Sequence, residues 1–152
     1  MRRRVVIPSA LSAAVLLAAG SAFAAGMADA VTSRQAQFKT LGASFKALND
    51  EIRKGDPDMK KIRASAAVVR KASLEIPKWF PRGSGAEAGV KTKVLPSVWS
   101  DTPGFAQAAK DFAAEAAKLQ TLAAGDDADD LRAQAKTVAQ TCGTCHTKYR
   151  EK

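Results

Sequence analysis

The sequence is short of the residues that staple, coordinate and catalyse. Its 152 residues hold one histidine, two cysteines and one tyrosine. One histidine and two cysteines fall short of the four strong ligands that a structural zinc site wants. The same histidine cannot serve both as a metal ligand and as the acid–base group that a peroxidase needs. The two cysteines lie three apart, at Cys142 and Cys145, a spacing that closes almost no loop and so cannot staple a fold. The β-branched residues are scattered and alanine dominates, which leaves no strand-like runs. Basic residues outnumber acidic ones, 24 to 15, but they are spread along the chain with no aromatic-interleaved patch. That argues against nucleic acid as a partner.

The only long apolar run is at the start. Arg2, Arg3 and Arg4 precede an Ala/Leu-rich stretch from Val5 to Gly20, and Ala22-Phe23-Ala24 supplies the small-x-small pattern of a signal-peptidase site. Residues 1–24 therefore read as a signal peptide cleaved after Ala24. The stretch is too short and too alanine-rich for a good membrane span of about 20 strongly apolar residues, although a retained anchor is the alternative. Removing 24 of 152 residues leaves 128, enough for one domain with its own core. Removing the three leader arginines leaves 21 basic against 15 acidic residues, a net charge of +6.

Four segments carry apolar residues at helical steps of three and four. The first, Ala28 to Arg53, has a stripe through Val31, Arg34, Phe38, Leu41, Phe45, Leu48 and Ile52. Asp56-Pro57 then offers an N-cap followed by proline in the first turn of a second helix, which carries Met59, Ile62, Ala66 and Val69. The third runs from about Pro103 to Ala123. The fourth runs from about Asp129 to Tyr149, behind an acidic stretch that suits a helix start. Between the second and third lies a long irregular connection, Leu74 to Pro103, holding Trp79, Phe80 and Trp99. Long loops inside compact domains usually have a function. The expected fold is all-α: an antiparallel up-down four-helix bundle over residues 25–152. An oligomeric coiled coil is the competing reading of the spacing.

Both cysteines and the only histidine fall within Cys142-Gly143-Thr144-Cys145-His146. Cys-x-x-Cys-His is the signature of c-type haem attachment. Thiols three apart on a helix lie about one turn from each other and can bond the two vinyl edges of one porphyrin. The next imidazole then becomes an axial ligand of the iron. A redox Cys-x-x-Cys would sit at a helix N-terminus within a βαβ pattern; this one ends the last helix.

With His146 committed, the sixth ligand has to come from methionine or be absent. Met27 lies beside the expected new N-terminus, and Met59 is in step with a core stripe. Arg34 interrupts an apolar stripe, where a cation needs an anion such as a haem propionate, or must snorkel to solvent. Phe38 is one turn further along that face and could wall the open side of the iron. Arg150 follows His146 by one turn, near the haem or simply at the negative end of the helix dipole.

The chain resembles cytochrome c′ and its low-spin relatives. The resemblance covers the mature chain and is carried by Arg34-Gln35-Ala36-Gln37-Phe38, Phe80-Pro81-Arg82-Gly83-Ser84, Leu95-Pro96-Ser97-Val98-Trp99, Phe105 and the C-terminal Cys142–His146 motif with Tyr149-Arg150. It implies one covalent haem c on Cys142 and Cys145 with His146 on the iron. It also implies haem contacts at Arg34, Gln35 and Thr92, and a place for Arg150 on the proximal side. Phe38 stands where low-spin relatives place a methionine ligand, which puts this chain with five-coordinate, high-spin members. The connection lacks the acidic residue that some relatives carry near Lys93. The implied protein is periplasmic and not an enzyme. It binds nitric oxide or carbon monoxide, or passes electrons to an unidentified redox partner, and a homodimer through the first two helices is common in such bundles. A six-coordinate electron carrier with a methionine ligand and a Cys-x-x-Cys thiol oxidoreductase are the alternatives.

Overall fold

The computed structural model describes residues 12–125 and 127–152, with side chains from Ala25 onward. The expected signal peptide's n-region and the beginning of its apolar run therefore lie outside the described residues. The elements are α1 (Ser12–Glu51), α2 (Met59–Glu75), a single-turn α3 (Ser97–Ser100), α4 (Thr102–Leu122) and α5 (Ala128–Tyr149). Two short 3₁₀ turns, Ile76–Trp79 and Ala86–Ala88, sit in the connection. The four long helices form the antiparallel bundle, and no strand occurs among the described residues.

Helix boundaries depart from the sequence reading in two places. The helix α1 continues upstream of Ala28 to Ser12, because alanine-rich sequence keeps helical propensity whether or not it is later cleaved. The N-cap of α2 is Asp58, not Asp56: its side chain accepts the N–H of Lys61 at 3.1 Å. Glu51 Oε2 accepts the Asp58 N–H from the end of α1, fixing the turn there.

The core is made by the predicted stripes. Leu48 from α1 and Ile52 just past its end, Ile62 and Val69 from α2, Leu119 from α4 and Leu131 from α5 are all buried. Helix α1 packs on α2, α2 on α4, and α4 on α5. At the far end α1 and α5 are tied by Arg132 Nε, which donates to the Ile52 carbonyl at 2.9 Å. Toward the C-terminal end of α5, that helix and the Arg34–Phe45 stretch of α1 are separated by a cavity.

Candidate haem site

The connection between α2 and α4 closes over that end, and its path is set by hydrogen bonds at both margins. On the α1 side, Pro81 to Ser84 forms a tight turn in which the Ser84 N–H donates to the Pro81 carbonyl at 3.2 Å. Gly83, with φ 89°, takes the left-handed position such a turn requires. The turn presents Ser84 to Arg34. Nη1 of Arg34 donates to Ser84 Oγ at 2.8 Å and to the Trp79 carbonyl at 3.3 Å. Nη2 donates to the Ser84 carbonyl at 2.9 Å and to Thr92 Oγ1 at 3.2 Å. The guanidinium also lies 4.7 Å from the centroid of the Phe80 ring. Arg34 is 2% exposed, so it does not snorkel; its charge is met by four neutral oxygens and an aromatic face, and burial pushes its pKa down. Gln35, beside it, donates to the Lys91 carbonyl at 2.8 Å.

On the α5 side, the connection pairs with the chain just beyond His146. The Leu95 N–H donates to the Tyr149 carbonyl at 3.0 Å, and the Glu151 N–H to the Lys93 carbonyl at 2.8 Å. Ser97 Oγ donates to the Lys148 carbonyl at 2.7 Å. Tyr149 is buried, and its hydroxyl donates to Asp101 Oδ2 at 2.8 Å, while Asp101 Oδ1 accepts the Gly104 N–H and caps α4.

These elements enclose a cavity of about 570 Å³. All eight residues singled out in the sequence line it: Arg34, Gln35 and Phe38 from α1, Thr92 from the connection, and Cys142, Cys145, His146 and Arg150 at the end of α5. Much of the remaining wall is apolar, including Leu41, Phe45, Val69, Phe105 and Phe112. Leu41 and Phe45 continue the Phe38 stripe and were readable as cavity residues on that ground. Lys39 and Lys93 also line the cavity, and nothing in their spacing announced it. Phe38 meets Trp79 and Phe80 edge-on. Met59 packs against the core, and no methionine lines the cavity among the described residues.

The titratable groups favour coordination over thiol chemistry. Burial raises the pKa of both Cys142 and Cys145, the reverse of what a reactive thiolate needs. Burial and then the charge of Arg150 lower that of His146, keeping the imidazole neutral with a lone pair to offer a metal.

The site suits a porphyrin in volume, wall and charge. Both thiols and the imidazole come from one wall. Arg34, Lys39, Lys93 and Arg150 are the charged lining residues, with no carboxylate among the described ones, as two propionates would require. The comparisons agree. A profile of the cytochrome c′ family matches residues 29–150.

The chain belongs to the cytochrome c′ family.

Its cofactor is accordingly one covalently bound c-type haem. A cytochrome c-554 from Cereibacter sphaeroides is 37% identical over 81 residues, covering 53% of this chain and 60% of that protein. This chain thus matches less than two thirds of that relative's length. A cytochrome c′ from Rubrivivax gelatinosus is 29% identical over 124 residues, covering 82% and 95%. Among solved structures, a ferrous variant of the Alcaligenes xylosoxidans cytochrome c prime with bound nitric oxide superposes with TM-score 0.73 at 28% identity, covering 82% and 94%.

Proposed function

We propose that this cytochrome is periplasmic, that its haem iron is five-coordinate and high-spin, and that it binds nitric oxide or carbon monoxide. The observation that carries the reading is the donor set of the cavity: one imidazole, His146, and no thioether among the described residues. The six-coordinate alternative would need a methionine there, and Met59 is committed to the core. The haem, when bound, supplies an iron with one coordination position left for a small ligand.

The side chains do the rest. Neutral His146 holds the metal from the α5 wall. Phe38 covers the opposite side with a ring that excludes water and offers no lone pair. Two neighbouring donor groups are engaged elsewhere: the four terminal N–H groups of Arg34 bond to the connection, and the Gln35 amide donates to the Lys91 carbonyl. A polar oxygen complex would find little stabilisation there, so nitric oxide and carbon monoxide are favoured over dioxygen. Arg150, exposed one turn past His146, offers a positive charge to nitric oxide arriving on the proximal side. The same ligand is bound in the Alcaligenes xylosoxidans relative.

Export follows from the leader. Cleavage after Ala24 would start the mature chain four residues before the family match begins at residue 29. The mature protein would dimerise through α1 and α2, where Val68 and Leu74 on α2 are exposed large apolar side chains. Electron paramagnetic resonance of the ferric protein tests the central point. A high-spin signal and carbon monoxide uptake by the ferrous form are expected; a low-spin spectrum of the untreated protein would overturn the reading.

A further inference from the structure

We propose that Trp79 is the stop behind Phe38, so that the distal gate is a two-residue device whose second member sets how large a ligand can enter. The inference rests on the proposed reading of Phe38 as the ring that covers the open side of the iron, and so as the gate to it. Phe38 faces the cavity on one side. Elsewhere its ring meets Trp79, with centroids 5.0 Å apart and planes at 87°. Trp79 is half-buried and does not itself line the cavity.

On the Phe80 side, the space beside this pair is already taken. Phe80 approaches Phe38 at 6.1 Å and is itself packed on Phe105 at 4.9 Å. The Phe80 carbonyl accepts the indole N–H of Trp99 at 3.0 Å. Trp79 ends the 3₁₀ turn Ile76–Trp79, in which Pro77 stiffens the backbone, and its carbonyl is held by Arg34. Close-packed rings move only when their neighbours yield. A ligand that needs the room occupied by Phe38 must press that ring toward Trp79, and the indole limits how far it recedes. Trp79 is therefore a positioning residue that acts through Phe38 and discriminates by ligand size.

The test uses the ferrous holoprotein and compares Trp79→Ala, Trp79→Phe and Phe38→Ala with the unsubstituted protein. Association rates are measured for carbon monoxide and for methyl and n-butyl isocyanide. Loss of the edge-to-face contact in Trp79→Ala is expected to raise the carbon monoxide rate about two- to tenfold. The n-butyl isocyanide rate should rise by a larger factor, shrinking the penalty for size. Trp79→Phe should restore most of the discrimination, and the ferric spectrum should stay high-spin in all of them. A crystal structure of Trp79→Ala should show the Phe38 ring turned into the vacated space. If Trp79→Ala does not retain haem, Trp79→Leu gives the same comparison. Equal factors for every ligand, or no change in any rate, while Phe38→Ala accelerates binding, would overturn the role of Trp79 and leave Phe38 as the gate alone. No change in Phe38→Ala would remove the gate itself.

Discussion

Arg34 and Ser84, fifty residues apart in sequence, are joined by two hydrogen bonds, Nη1 to Oγ at 2.8 Å and Nη2 to the carbonyl at 2.9 Å. This pair fastens the connection to the first helix, and through it the aromatic wall of the haem cavity. Arg34→Lys should be poorly tolerated, because one ammonium cannot span Ser84, Trp79 and Thr92 from a single point. Arg34→Ala leaves the buried Ser84 acceptors unpaired and should cost about 2–4 kcal/mol, measured by denaturant unfolding of the holoprotein. If Arg34 only contacted a propionate at the rim, the loss would be far smaller.

Phe38 lines the cavity from the α1 wall, where a flexible, unbranched side chain could turn toward its interior. Phe38→Met should place a thioether opposite His146 and convert the ferric spectrum from high-spin to low-spin, with a rise in reduction potential as methionine becomes a ligand. The optical and magnetic resonance spectra check both. An unchanged high-spin signal would mean that position 38 does not face the iron.

Removing the haem should loosen one end of the bundle and spare the other. In Cys142→Ser/Cys145→Ser, expressed without attached haem, the apolar cavity between α1 and α5 loses its filling. Hydrogen exchange should accelerate in residues 76–96 and in the last turn of α5. Leu48, Leu119 and Leu131, buried together in the core, should stay protected. Uniform loss of protection would indicate that the haem nucleates the whole fold.

What the sequence made legible follows from periodicity and from covalent chemistry. The stripes over Val31–Ile52 and Phe105–Ala123 report the core because a 3.6-residue repeat survives without knowledge of neighbours. The Cys142–His146 motif is local and self-contained, so its position on α5 could be read directly. Arg34 was legible as an anomaly, a charge in an apolar stripe, but its partners were not. They are presented by a glycine turn and by Thr92 on an aperiodic segment, where a proline- and glycine-rich sequence fixes turns without fixing a path. The choice of Asp58 over Asp56 as helix cap fails to show for a related reason: the deciding contact comes from Glu51 on another helix.

Tyr149 is the only tyrosine of the chain, so its phenolate absorbance can be followed without overlap from another tyrosine. Burial, then the hydrogen bond to Asp101 and its negative charge, push the phenol up to about 12 from an ordinary value of 10. The unfolded chain deprotonates first as pH rises, so the stabilising preference for the neutral phenol is complete below pH 10. It is lost progressively as pH climbs through about 12. Thermal melts between pH 9 and 12 (roughly the span of the two titrations) should show the melting temperature falling in that window. Tyr149→Phe should lower stability at neutral pH, through loss of the hydrogen bond to Asp101, yet flatten the alkaline decline. In Asp101→Asn the phenol should titrate closer to 10, because the neighbouring charge is gone while the burial persists. A titration in the intact protein that stays near 10, or an alkaline decline unaltered in Tyr149→Phe, would show that Tyr149 and Asp101 are not coupled.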